Sequence, residues 1–164
     1  MKSDKPLFFA LLLALWTALA AAQGEPTLPK PGAKDLCPIC GMLVSKYPNW
    51  IAVALYRDGH AHYFDGAKDM FKYLQEYAKY APGHRKEDLA GIYVTEFYGL
   101  TKVDARKAFY VIGSDVLGPM GHELVPLETR ADAEDILKDH KGRRILSFEQ
   151  VTAEILTKVD NGKF

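Results

Sequence analysis

The chain has 164 residues, 48% hydrophobic and 26% charged, with 21 basic residues balanced by 21 acidic ones. That length and composition suit one compact domain or two small lobes around a buried core. With zero formal charge and no run of like charges, the sequence offers no electrostatic footprint for nucleic acid or for an anionic membrane surface.

The N-terminus reads as a targeting segment. Lys2 and Lys5 precede an apolar block from Leu7 to Ala22 that ends in three alanines before Gln23. The block holds about 16 residues, short of the roughly 20 that a spanning helix needs, and small residues stand where a signal peptidase cuts. Residues 1–22 are therefore expected to be a cleaved signal peptide rather than a retained anchor, which places the mature protein in the periplasm. Residues 23–35, with Pro26, Pro29 and Pro31 and no apolar periodicity, are expected to form a flexible tether.

From residue 36 the pattern becomes regular. Trp50 to Tyr56 is apolar and β-branched, and an Asp58-Gly59 turn leads to a second strand over His60 to Phe64. From Ala67 the period changes: Ala67, Met70, Phe71, Leu74, Tyr77 and Ala78 recur at helical spacing, with Asp65 as the expected N-cap and Pro82-Gly83 as the stop. Gly91 to Tyr98 is again strand-like. The order then repeats, with strands over Ala108 to Ile112 and Glu123 to Leu127 and a helix from Arg130 to His140 that buries Ala133, Ile136 and Leu137. Gly142 is its expected C-cap, and Arg144 to Phe148 is a short strand. A last helix is expected to start at Ser147, with Gln150 as capping-box partner. The fold class is α+β: two ββαβ units in tandem, residues 36–100 and 101–164, the second carrying a C-terminal helix.

The chemistry centres on two cysteines, Cys37 and Cys40. So short a loop is a poor structural staple, which favours redox chemistry or metal binding. Structural zinc wants four ligands, and neither a second Cys pair nor a His-x-x-x-His pattern accompanies this one. A thiol oxidoreductase needs its nucleophile at a helix N-terminus, whereas Gly41 and a strand-like run follow the pair. Cu(I) is soft and selects thiolate and thioether sulfur. Met42 stands two residues after Cys40, and Met120 lies in the turn-like Gly118-Pro119-Met120-Gly121-His122, a poor place to hide an apolar side chain. His122 shares a face with Met120 if the chain is extended there. His60 and His62 share a face of the hairpin and form a weaker set, while His84 and His140 are expected to be exposed. Met70 belongs to the helix's apolar stripe and is assigned to the core.

Cys37-Pro-Ile-Cys40-Gly41-Met42-Leu-Val, Tyr63-Phe64-Asp65 before a Met70-Phe71 helix, and Gly118-Pro119-Met120-Gly121-His122-Glu123-Leu-Val-Pro126 together resemble the NosL family over about Asp35 to Gln150. These are copper-binding accessory proteins of nitrous oxide reductase, described as two ββαβ units related in shape to the N-terminal region of organomercurial lyase. The resemblance implies a Cu(I) site of a cysteine thiolate, a methionine thioether and a nitrogen or oxygen donor. Cys40 and Met120 are the strongest matches, followed by Met42, His122 and Cys37. It also implies apo nitrous oxide reductase as client and an ABC-type membrane transporter of the same system as a docking partner. Family members are typically lipid-anchored through a cysteine at the end of the signal peptide; this chain has Ala and Gln there, so no lipobox cysteine offers an anchor.

The expected function is thus that of a non-enzymatic periplasmic metallochaperone for Cu(I), with ligands drawn from two loops so that the ion can be both held and released. The rivals are a periplasmic thiol-disulfide oxidoreductase using Cys37 and Cys40, and an organomercurial-lyase-like enzyme, for which a further cysteine is lacking.

Overall fold

The computed structural model describes residues 28–164. The expected signal peptide, residues 1–22, and the start of the tether lie outside the described residues. Leu28, Pro29, Lys30 and Pro31 lie along the protein beside Pro48, Ile51, Val53 and Lys102.

The first half forms an antiparallel sheet. Strands β1 (Ala52–Tyr56) and β2 (Ala61–Phe64) make a hairpin, and β3 (Leu89–Thr95) pairs with the other edge of β1. Strand β4 (Lys102–Asp104) closes the order β2-β1-β3-β4, so the first sheet takes its last strand from beyond residue 100. Helices α1 (Ala67–Gln75) and α2 (Tyr77–Tyr80) follow the hairpin. The chain kinks between them at Glu76 (φ −102, ψ 40), and beyond the kink Ala78, expected in the stripe, is exposed; before it, Tyr73, outside the stripe, is fully buried. Tyr73 can sit in the core because its hydroxyl meets that of Tyr56, so no polar atom is stranded.

The second sheet has the order β8-β5-β9, built from β5 (Phe109–Ile112), β8 (Val125–Leu127) and β9 (Arg144–Leu146). A small extra hairpin, β6 (Leu117–Gly118) with β7 (Gly121–His122), stands where the sequence shows only a turn. Helix α3 (Arg130–Asp139) begins at Thr129, whose hydroxyl accepts the Asp132 amide at 3.1 Å. Its end departs from expectation. Lys141, not Gly142, takes the left-handed conformation at φ 57. Gly142 is needed for another reason, since a Cβ there would lie 2.7 Å from Val111 and 2.9 Å from the Leu137 backbone. The last helix, α4 (Ala153–Asp160), also starts later than Ser147. The Gln150 side chain does accept the Ser147 amide at 2.8 Å, but it closes only a 3-10 turn over Phe148–Gln150; Thr152 then caps α4.

Strand β5 joins the halves through its period of two. Tyr110 and Ile112 belong to the main core with α1, β1, β3 and α4, while Val111 faces α3 with Val125, Leu127, Ala133 and Ile136. One continuous core therefore crosses both halves. Helix α4 is fastened to α1 by Asp160, which meets Lys68 at 3.1 Å and Lys72 at 2.8 Å.

Candidate metal centre

Cys37 and Cys40 sit on a knuckle whose shape comes from the backbone. The Gly41 amide donates to the Cys37 carbonyl and the Cys37 amide to the Met42 carbonyl, both at 2.9 Å, and Leu36 bridges Leu43 across the loop. Gly41 adopts φ +76, a conformation that a Cβ disfavours. Both thiols are free. Val44, fully buried, anchors the base of the knuckle in the main core.

The knuckle lies over the start of α1, where two carboxylates meet the sulfurs. Cys37 Sγ donates to Asp69 Oδ2 at 3.4 Å and Cys40 Sγ to Asp65 Oδ1 at 3.2 Å. One ligand atom from each of Cys37, Cys40, Asp65 and Asp69 lies within 4.8 Å of all the others. Asp65 and Asp69 are buried, and Asp65 Oδ2 is shielded from solvent without a hydrogen-bond partner among the described residues. Burial, reinforced by the neighbouring carboxylates, pushes the Cys40 thiol up to about 12 and the Cys37 thiol higher still. At neutral pH both are therefore protonated. A thiol held in that form is a poor nucleophile, which counts against disulfide exchange; a thiophilic cation that displaces the proton reverses the balance.

Neither carboxylate is apparent from the motif. Asp65 has the look of an N-cap, but Gly66 takes that position with extended φ of −170 and Asp65 turns to Cys40 instead. The signal available in the sequence is the spacing: Asp65 and Asp69 stand four apart, about one helical turn, at the start of the helical pattern.

Of the sequence-selected residues, the structure brings Cys37 and Cys40 together and keeps Met42 half-buried in the same knuckle. Met120 is at the tip of the β6–β7 hairpin, 49% exposed. His122 does not join the four-residue cluster; its ring packs against Phe164 at 5.1 Å, and its Nδ1 is buried without a partner among the described residues.

The hairpin is nevertheless bolted to the helix start that carries the carboxylates. Lys68 Nζ donates to the His122 carbonyl at 2.7 Å, and buried Glu123 accepts the Lys68 amide at 2.7 Å and the Leu124 amide at 2.9 Å. Glu123 fills the space above Gly66, where a Cβ would come within 2.3 Å of Oε2. Burial pushes its carboxyl up to about 7 despite Lys68 nearby. Two loops distant in sequence thus share one helix N-terminus.

The sequence model of the NosL family matches residues 29–156. The chain is similar to the copper-binding lipoprotein NosL of Stutzerimonas stutzeri, 28% identical over 130 residues that cover 74% of this chain and 64% of that protein. The crystal structure of the copper chaperone NosL from Shewanella denitrificans has a TM-score of 0.63 to it, over 79% of this chain and 99% of that one at 21% identity, so the two share a fold. A family match over most of the chain, on the fold and knuckle described above, establishes that the chain belongs to the NosL family.

Proposed function

We propose that this protein is an exported copper chaperone that carries Cu(I) as cargo and delivers it for maturation of apo nitrous oxide reductase, docking on an ABC-type transporter of the same system. The observation that carries the reading is the pair of free thiols held over a buried, unpartnered carboxylate oxygen at the helix start where the Met120 hairpin is also fastened. Two soft thiols select Cu(I) over hard ions. Names given to relatives in the family point the same way.

In this reading Cu(I) displaces the proton from Cys40, and the Met120 thioether completes the shell, with Cys37, Met42 or His122 as further donors. Because Met120 is half exposed at a hairpin tip, it is the ligand that first reaches an incoming acceptor. Stepwise exchange of sulfur ligands then passes the ion on, with no acid-base or covalent chemistry.

The test is an anaerobic Cu(I) titration of residues 23–164 against a chromogenic chelator. One Cu(I) is expected per chain, with affinity at least tenfold weaker in Met120→Ala and abolished in Cys40→Ser. Equal binding by wild type and Met120→Ala would remove the hairpin from the site. Absence of binding, with a reversible Cys37–Cys40 disulfide, would transfer the reading to the oxidoreductase.

A further inference from the structure

A second cluster of metal-ligating side chains lies outside the cysteine knuckle. His60 follows the turn at Gly59, His62 lies in β2, and His84 ends the turn Ala81-Pro82-Gly83-His84, in which the His84 amide donates to the Ala81 carbonyl at 3.1 Å and Gly83 has φ +88. Proline second and a left-handed glycine third are the residues such a turn demands. It carries His84, expected from sequence to be exposed, back over the hairpin: the His60 and His84 rings stack at 5.5 Å, and the His62 ring is 4.9 Å from His60 and 6.0 Å from His84. One ligand nitrogen from each of the three lies within 4.8 Å of the other two.

The floor of the cluster is built to hold this arrangement. The Tyr56 ring packs on His60 and His62 at 5.7 Å and on His84 at 4.4 Å. Its hydroxyl meets that of Tyr73 and lies 2.8 Å from that of Tyr77, which in turn lies 3.0 Å from the Arg85 carbonyl. The loop carrying His84 is therefore tied to the ring beneath the histidines. His62 Nδ1 is shielded from solvent and has no hydrogen-bond partner among the described residues. Three imidazoles so close repel one another when protonated. Burial, with His60 and His84 alongside, lowers the His62 pKa to about 4, which leaves it as the neutral, metal-binding form at neutral pH.

We propose that His60, His62 and His84 form a second metal site, separate from the thiols, that takes an imidazole-seeking divalent ion, Cu(II) in preference to Zn(II). Three neutral nitrogens suit both ions, and the general order of divalent affinities puts Cu(II) first. Nitrogens bound to one such ion at about 2.0–2.1 Å lie roughly 3–3.5 Å apart, so three that already lie within 4.8 Å of one another have only a short way to close. The exposed His60 ring and the turn that carries His84 supply that closure. Three protein ligands leave a position open for water or for a ligand passed from elsewhere. This site does not depend on the chaperone reading of the knuckle.

The experiment uses the full chain with Cys37→Ser and Cys40→Ser, which removes thiol binding and thiol oxidation, titrated with Cu(II) and followed by electron paramagnetic resonance. One Cu(II) with nitrogen superhyperfine structure is expected, bound at least tenfold more weakly when either His60→Ala or His84→Ala is added and unchanged by His140→Ala. Those two positions carry the test because His62 also packs on Tyr73 in the core. No bound Cu(II), or binding unchanged in both histidine variants, would overturn the site.

Discussion

Cys40 and Asp65 show how a single contact sets the state of the proposed copper ligand. The thiol is raised by burial first and by the carboxylate 3.2 Å away second. Asp65→Asn keeps the volume and removes the charge, so the pH midpoint for Cys40 alkylation should move down; a midpoint that stays put would remove Asp65 as a cause and leave burial and Asp69. Glu123 makes a second testable case. Its carboxyl titrates near 7 in the folded protein, above its ordinary value of 4.5, so between those values the native state holds a proton that the unfolded state has lost. Its contribution to stability is thus full below about 4.5 and is lost as pH rises through 7. His62 acts in the opposite sense, because its lowered pKa removes stability as pH falls from 6.5 towards 4. Glu123→Gln should therefore abolish the falling component alone, seen as denaturation midpoints that no longer decline from pH 5 to pH 8 relative to wild type.

At the scale of elements, the N-terminus of α1 is the junction of the molecule. Asp65, Lys68 and Asp69 hold the knuckle and the β6–β7 hairpin to the same turn of helix. Gly66 makes this approach feasible, since Glu123 occupies the place of its absent side chain and is pinned by two backbone amides. Gly66→Ala should cost about 1–3 kcal/mol in chemical denaturation. It should also weaken Cu(I) binding if the hairpin supplies Met120, whereas a stability loss with unchanged copper affinity would separate the two loops. The pattern of the sequence showed α1, β2 and α3 through their periods and β1 as an apolar, β-branched run. It gave no warning of the break at Glu76 or of the two-residue strands β6 and β7, which are too short to carry a period at all.

For the whole molecule, the shared core makes the halves interdependent. Leu124, with no exposed surface, belongs to the same cluster as Val53, Met70 and Val94 of the first half. Leu124→Ala should lower stability by about 2–5 kcal/mol in a single transition that both tryptophan fluorescence and far-ultraviolet circular dichroism report. Two separate transitions would mean that the ββαβ units fold independently.

The α+β class, the order of the main elements, the two cysteines with Met42 beside them and the family were all legible in the sequence, because hydrophobic period and sulfur spacing are local properties. The acidic partners of the thiols, the docking of the Met120 hairpin through Lys68 and Glu123, and the gathering of His84 onto His60 and His62 were decided only by tertiary structure. Each joins residues between 22 and 55 positions apart, and such contacts leave no periodic trace: a buried carboxylate looks like a helix cap and a clustered histidine like a surface one until the chain closes around them.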